Sequence, residues 1–123
     1  MNDKKKDIVL SAINVFQEKG FENATVSAIV KGAGIAQGTF YLYFPSKLSV
    51  IPGIVEVIIE KITNTVTQNI NFSTSFKYQL RQIIDIVFDY TGKYREILAL
   101  IYVRAGSNRQ LHEWEEMYEP IIR

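Results

Sequence analysis

The chain has 123 residues, of which 47% are hydrophobic and 22% are charged, and its formal net charge is only +1. This size is sufficient for one domain with a real core or for two small helical subdomains. The absence of cysteine excludes a disulfide framework and a thiolate zinc site. The apolar runs are too short for a signal peptide or a membrane span, so we expect a cytoplasmic protein that does not contact membranes.

The first helix is predicted from about Lys4 to Lys19, with Gly20 ending it and Phe21 folded back onto its last turn. Thr25 is a suitable N-cap for a second helix. Buried positions on these two helices follow from helical spacing; they are Ile8, Val9, Ala12, Ile13, Val15, Phe16, Val26, Ile29, Val30 and Ala33.

A glycine turn at Gly34 leads into a third helix, which is predicted to begin at Ala36 and to end before Pro45. Ile35 is expected to drop into the core between the helices, and Phe40 and Phe44, four residues apart, define the inward side of the third helix. Thr39, Tyr41 and Tyr43 are then expected to point outward or sideways, and Gln37 and Gly38 stand at the N-terminal end of the helix. Two short helices joined by such a turn are typical of a helix-turn-helix, whose second helix enters the major groove of DNA.

The outward residues have the chemistry for this task. Gln37 can pair with an adenine edge and the methyl of Thr39 suits that of thymine, while tyrosine hydroxyls can bond phosphates. The charge asymmetry is weak, +2 over residues 1–50 and −1 over the remainder. The same turn occurs in helical proteins that bind no DNA, so spacing alone leaves open an all-helical module that binds other proteins.

A fourth helix is predicted from Lys47 to about Asn69, with Ser46 as its cap. Its stripe consists of Ile54, Val55, Ile58, Ile62 and Val66. Pro52-Gly53 lies one turn inside this helix, where proline should kink or restart it. This pair is either a hinge or a tolerated kink.

Three further helices follow in the sequence. Ser73 or Ser75 opens the fifth, which ends at Gly92, and the sixth runs from about Tyr94 to Ala105. A seventh begins near Gln110. The core faces expected on the fifth and sixth helices consist of Phe76, Leu80, Ile83, Ile84, Val87 and Phe88, and of Ile97, Leu98, Ile101 and Tyr102.

The stretch from Thr25 to Lys47 resembles the DNA-binding region of the TetR/AcrR family of bacterial repressors. The matching residues are Thr25, Ile29, Ala33, Gly34, Ile35, Gly38, Phe40, Tyr41, Tyr43, Phe44 and Lys47. The resemblance implies an all-α fold, with a helix-turn-helix head at residues 1–46 and a long fourth helix. That helix joins the head to the first part of an effector-binding and dimerisation domain at residues 47–123.

The resemblance also implies a homodimer that binds a palindromic operator on double-stranded DNA until a small hydrophobic effector releases it. Phosphate contacts are expected from Thr25, Tyr41, Tyr43 and Lys47, and base contacts from Gln37, Gly38 and Thr39. The sequence departs from the family pattern at Ala36, where a cap is missing, and at Ser49, where an acid is missing and the capping box is expected to be lost. Family members are longer, so we expect this chain to lack the C-terminal dimer helices.

An effector pocket would be lined by aromatic residues, for which core packing is the competing interpretation. Our candidates are Phe88, Tyr94, Tyr102, Trp114 and Tyr118. His112 has no companion ligands, so neither a metal nor a cofactor is expected. We find no nucleophile with a nearby base and no phosphate-binding loop, so an enzyme is not expected.

Overall fold

The computed structural model describes residues 1–106, with side chains through Val103, and this part of the chain is all-helical. The helices are α1 Asp3–Lys19, α2 Val26–Ala33, α3 Gln37–Tyr43, α4 Ile51–Asn69, α5 Phe76–Lys93 and α6 Arg95–Gly106, and a 3-10 turn at Leu48–Val50 directly precedes α4. The predicted all-α class is confirmed. The predicted seventh helix near Gln110 lies outside the described residues.

Helix α1 begins and ends as its sequence indicates. The side chain of Asn2 accepts a hydrogen bond from the backbone of Lys5 at 2.8 Å, which satisfies one free donor of the first turn. Gly20 has a φ of +76°, and the ring of Phe21 packs edge-on against Phe16 at 5.3 Å. The six inward positions predicted for α1 are all buried, so this helix forms the centre of the core.

Helices α2 and α3 form the predicted helix-turn-helix. Gly34 adopts the left-handed conformation at φ 69° and ψ 34°, and the backbone of Ile35 donates to the carbonyl of Val30 at 3.1 Å. This pattern closes the C-terminus of a helix at little steric cost because glycine lacks a Cβ. Phe40 and Phe44 are buried as predicted. Ile35 is only half-buried and packs against the core.

Close packing fixes α2 against α1. The hydroxyl of buried Ser11 donates to the carbonyl of Ile29 at 2.7 Å, and Gly32 faces the same hydroxyl so closely that a Cβ would collide with it. A buried hydroxyl without a partner would be costly. The hydrogen bond and the missing Cβ therefore hold the two helices in one arrangement.

The start of α4 corrects one prediction about capping. The backbone of Ser49 donates to the hydroxyl oxygen of Ser46 at 3.3 Å, and the backbone of Ser46 donates to the hydroxyl oxygen of Ser49 at 3.1 Å. The prediction that the capping box is lost at Ser49 was wrong. A serine hydroxyl reaches back across the tight 3-10 turn, so the reciprocal pair forms without an acidic side chain.

Helix α4 begins at Ile51, directly after the 3-10 turn, and not at Lys47 as predicted. Pro52 therefore lies in the first turn of α4 and not one turn inside the helix. First-turn N–H groups lack helical partners, so proline is tolerated there. Gly53 is buried against Val9, and a Cβ at Gly53 would lie 2.8 Å from Cγ2 of Val9. Gly53 therefore permits close packing of α4 on α1; its function as a hinge stays a prediction.

Helix α4 carries most of its predicted stripe into the core, since Ile54 and Ile58 are buried and the other three positions are half-buried. Val57 is buried as well, which the stripe did not include. Among residues 1–106, no single helix is both long and apolar enough to cross a bilayer. Only α3 taken together with Leu48–Asn69 reaches that length and composition, as a pair bent by 57°.

Helix α5 contradicts its predicted core face. None of its residues is buried, and five of the six residues of the predicted face are exposed, with Phe76 at 78% and Phe88 at 77% exposure; the sixth, Ile83, is half-buried. The half-buried side of α5 consists of Gln79, Gln82, Ile83, Ile86 and Tyr90. Helical spacing identified residues that share a face, but α5 has two apolar sides and spacing does not say which one packs on α4.

Helix α6 follows its prediction in part. Ile97 is buried, and Leu98 and Ile101 are half-buried against the core. The prediction that Tyr102 is buried was wrong, because its side chain is 80% exposed. The position lies on the same outer surface as Phe88 of α5, and both line one groove.

Candidate nucleic-acid interface

The outer surface of α3 is set by where Phe40 and Phe44 point. Successive residues of an α-helix are rotated by about 100°, so with these two rings inward, Gly38 and Leu42 occupy the opposite side, four residues apart. The exposures agree with this geometry: Leu42 is 82% exposed, and Gly38 and Gln37 are also exposed. A short helix thus presents its unburied side from a rigid three-helix core.

The two predicted tyrosines differ in their surroundings. Tyr41 is half exposed and packs edge-on against Phe40 with ring centroids 5.3 Å apart. Tyr43 is half-buried and packs against the core. Thr39 is half-buried too. The residues predicted to read DNA therefore divide into an outer group and two flanking residues that share their surface with the core.

Thr25 lies at the first residue before α2 and caps it. Its side-chain oxygen accepts a hydrogen bond from the backbone of Ala28 at 3.0 Å, and the residue is exposed. A hydroxyl has one donor in addition to its acceptor lone pairs. Capping through the oxygen therefore leaves the O–H of Thr25 able to donate to an external acceptor.

Lys47 has a different environment from the one expected for a phosphate contact. Its ammonium donates to the carbonyl of Phe21 at 2.6 Å and to the carbonyl of Ala24 at 3.0 Å, and it lies 4.3 Å from the centroid of the Phe21 ring. The side chain is half-buried. Two of its three donors are thus used inside the fold, and its phosphate contact stays a prediction.

Two residues near this surface were not predicted from the sequence as site residues. Leu42 was not among the predicted site residues, although its spacing of four residues from Gly38 places it on the outer side of α3, where it is 82% exposed. Lys5 lies on α1 with its ammonium 5.5 Å from the centroid of the Phe44 ring. This contact brings a cation of the N-terminal lysine run beside the end of α3, which sequence separation concealed.

The aromatic residues proposed to bind an effector are only partly brought together. Phe88 and Tyr102 line one open groove of about 700 Å³ between α5 and α6, together with Arg95. Tyr94 does not line it, because that ring is buried and its hydroxyl accepts a hydrogen bond from Lys61 at 3.1 Å. Trp114 and Tyr118 lie outside the described residues.

A tyrosine pair joins α4 to the end of α5. The Tyr90 and Tyr94 rings are nearly parallel with centroids 6.4 Å apart, and the hydroxyls of Tyr90 and Thr65 are hydrogen-bonded at 2.7 Å. With the bond between Lys61 and Tyr94, these contacts satisfy the polar ends of two large side chains. Tyr94 therefore serves the packing of α4 in the described part of the chain.

Two family models match this sequence. The model for bacterial regulatory proteins of the tetR family matches residues 8–51, and the model for the tetracyclin repressor-like C-terminal domain matches residues 80–123. The first match includes the whole of α2 and α3 with its exposed surface. The second begins within α5 and extends beyond the described residues.

The curated relatives are named as HTH-type transcriptional regulators. The HTH-type transcriptional regulator YvdT of Bacillus subtilis is 37% identical over 117 residues, which cover 95% of this chain and 60% of YvdT. The negative regulator of the biofilm operon icaADBC, IcaR of Staphylococcus aureus (strain Newman), is 29% identical over 93 residues, or 73% of this chain and 49% of IcaR. The chain therefore spans 60% or less of the length of these two relatives.

Solved structures share the fold. The fatty acid degradation regulator FadR from Bacillus halodurans superposes with a TM-score of 0.65 at 27% identity, over 79% of this chain and 51% of FadR. A TetR-family regulator from Mesorhizobium loti MAFF303099 gives a TM-score of 0.70 at 19% identity, over 93% of this chain and 59% of its own length, which supports the fold alone. The helix-turn-helix geometry, the two family models and these relatives agree: the chain belongs to the TetR family of bacterial transcriptional regulators.

Proposed function

We propose that residues 1–46 form the DNA-binding domain of a repressor that reads an operator with the outer surface of α3. The single observation that carries this proposal is the exposure of that surface on a helix whose other side is anchored by Phe40 and Phe44. A helix fixed in this way can enter the major groove without a change in the core. Residues 47–123 would then form the first part of an effector-binding and dimerisation domain.

Base edges are contacted, in this proposal, by Gln37, Gly38 and Thr39, with Leu42 added from the structure. Gln37 at the start of α3 offers a bidentate donor and acceptor to adenine, and the apolar ends of Thr39 and Leu42 suit thymine methyl groups. Gly38 has open space where a Cβ would stand. That gap allows the backbone of α3 to approach the DNA closely.

Phosphates are contacted by neutral donors together with a few lysines. The O–H of Thr25 and the hydroxyls of Tyr41 and Tyr43 are suited to phosphate oxygens, which set the register of the protein on the duplex. Lys5 adds a cation beside the end of α3. Because only a few lysines neutralise phosphates in this proposal, few counterions are released and the salt dependence per subunit is modest.

Repression and its release by a small hydrophobic effector complete the proposal. The relative IcaR is named as a negative regulator, which supports repression. The open groove beside Phe88 and Tyr102 has a mostly apolar lining with Arg95 as a polar anchor, which supports an effector with an apolar body and an acidic group. A homodimer would bind two half-sites of a palindrome about one helical turn apart.

The proposal is tested by selecting bound fragments from a random pool of DNA duplexes at low ionic strength. We expect an inverted repeat to be enriched for the wild-type chain. Gln37→Ala should lose preference at one base position in each half-site, by about 1–3 kcal/mol, with its other preferences retained. The measurement is the base frequency at each position, checked by titration of the selected duplex and its single-base variants.

Gln68→Ala is the matched control, because Gln68 is an exposed glutamine on α4 away from α3. It should leave every base preference unchanged. The proposal fails if the wild-type chain enriches no sequence and binds duplexes no better as salt is lowered. That result favours the protein-interaction module, for which counterion release is not expected.

A further inference from the structure

The ammonium of Lys47 lies in a small cage formed by residues more than twenty positions earlier. Two carbonyls, those of Phe21 and Ala24, accept its hydrogen bonds at 2.6 and 3.0 Å, and the ring of Phe21 lies below it at 4.3 Å. Charge-assisted hydrogen bonds of this kind are among the stronger ones in proteins. The cage therefore joins the loop between α1 and α2 to the segment that follows α3.

The parts of this cage are themselves held in place. The Phe21 ring packs on Phe16 of α1, and Ala24 is buried, with its backbone N–H directed at the carbonyls of Gly20 and Phe21. Thr25, the cap of α2, follows Ala24 directly. A cation bound to these carbonyls thus acts on the position of Thr25 as well as on the loop.

We propose that Lys47 is a positioning residue, whose ammonium fastens the α1–α2 loop to the start of the α4 segment. It thereby fixes the spacing between Thr25 and α3. The part of this inference that concerns DNA rests on the proposed function. Leaving the cage to reach a phosphate would break two charge-assisted bonds and a cation–π contact, so Lys47 acts on DNA through Thr25 and α3 and not by direct contact.

The first test needs no DNA. Lys47→Met keeps the apolar stem but removes the ammonium, and Lys77→Met on exposed α5 is the matched control. We expect exchange at the hydrogen-bonded amides of Ala24, Ala28 and Ile29 to become about tenfold faster in Lys47→Met, as expected for loss of charge-assisted bonds, with no change in the control. Unchanged exchange at these three amides would overturn the proposal.

A double-mutant cycle in urea unfolding isolates the contact with the ring. Phe21→Leu removes the ring and keeps the carbonyl, so its effect on the unfolding equilibrium should be about two- to fivefold larger in the wild type than in Lys47→Met. If the two substitutions change the unfolding equilibrium constant independently, so that their effects multiply, the contact between Lys47 and the Phe21 ring is contradicted. If Lys47→Met does not fold, Phe21→Leu alone should still speed exchange at the same three amides. Unchanged exchange in Phe21→Leu would then overturn the proposal.

The last test separates positioning from phosphate contact, using the selected duplex at several salt concentrations. Positioning predicts that Lys47→Met weakens binding with the slope of log K against log[salt] unchanged. A phosphate contact predicts a slope smaller by about 0.9 per lysine together with normal amide exchange, and would overturn the proposal. If the wild-type chain binds no duplex, the proposed function fails while the exchange and unfolding results still decide the role of Lys47.

Discussion

Two regions of this chain use apolar residues in different ways. Around α1, α2, α3 and the start of α4, most large apolar side chains point inward, Leu42 and Tyr41 on the outer surface of α3 being exceptions, and the close approaches at Gly32 and Gly53 leave no room for an added methyl group. Along α5 most large apolar side chains are exposed, a few such as Ile83 and Ile86 are half-buried, and no residue of that helix is buried. We call these regions the closed core and the open face.

The difference shows where each region obtains its stability. In the closed core, each helix is held mostly by packing and hydrogen bonds among residues 2–58, to which Tyr94 and Ile97 add buried contacts. The surface of α3 is therefore held in place by its own neighbours. The open face exposes Phe76, Ile84 and Phe88, an apolar surface that residues 1–106 do not cover. Such surfaces mark sites of interaction, in keeping with the proposed effector-binding and dimerisation role.

The largest expected effect comes from truncating one phenylalanine in each region. Phe40→Ala in the closed core should lower the free energy of unfolding by about 3–5 kcal/mol, because it removes a fully buried ring and leaves a cavity. Phe88→Ala on the open face should change it by no more than about 0.5 kcal/mol. Urea unfolding of the 123-residue chain measures both.

Equal losses in the free energy of unfolding for the two substitutions would contradict the contrast between the closed core and the open face. An equal and concentration-dependent loss for Phe88→Ala would mean that a second copy of the chain covers the open face. An equal loss that does not depend on concentration would mean that the chain itself covers it. Either result assigns α5 to a buried interface.

The same contrast explains how much of the molecule could be predicted from its sequence. In the closed core, periodicity, caps and glycines all favour the same answer, so the bounds of α1 to α3 and the inward rings were predicted correctly. On α5, periodicity found the apolar residues but not their direction, because direction depends on what the helix packs against. Tyr102 was misassigned for the same reason.

For the candidate site too, local features could be predicted and distant packing partners could not. Its placement on α3 could be predicted, since Phe40 and Phe44 alone define the outer side. Side-chain partners distant in the chain could not: the cage around Lys47 joins residues 23 and 26 positions apart, and no local pattern encodes it. The missing acid at Ser49 misled the prediction because a serine can take its place when the turn is tight.

Gly→Ala substitutions in α4 and α5 test whether an added methyl group is tolerated in each region. Gly53→Ala should place a Cβ 2.8 Å from Val9, and overpacking costs about 1–3 kcal/mol. The gain of about 1 kcal/mol in helix propensity offsets part of this, so a net loss of up to about 2 kcal/mol is expected. Thermal and urea unfolding measure the change.

Gly92→Ala on α5 is its control. Open space surrounds the position where that Cβ would stand, so only the propensity gain applies and the helix should be stabilised by about 0.5–1 kcal/mol. Opposite signs for the two substitutions would support the contrast between the closed core and the open face. Stabilisation by Gly53→Ala would show that α4 and α1 separate easily, as the hinge hypothesis for Pro52-Gly53 requires.

The smallest expected difference is between two helix caps. Thr25→Ala removes the bond to Ala28, and Ser75→Ala removes a longer bond, 3.3 Å, to the backbone of Tyr78. Loss of a cap costs about 1 kcal/mol. Because α2 is held against α1 at Ser11 and Gly32, fraying of its first turn disturbs the whole closed core, and the full cost should appear in global unfolding.

The first turn of α5 is exposed and can fray locally, so Ser75→Ala should lower the global free energy of unfolding by about half as much and appear mainly as faster amide exchange within that turn. Equal global costs would show that α5 unfolds together with the core, and the distinction between the two regions would then hold for exposure but not for stability.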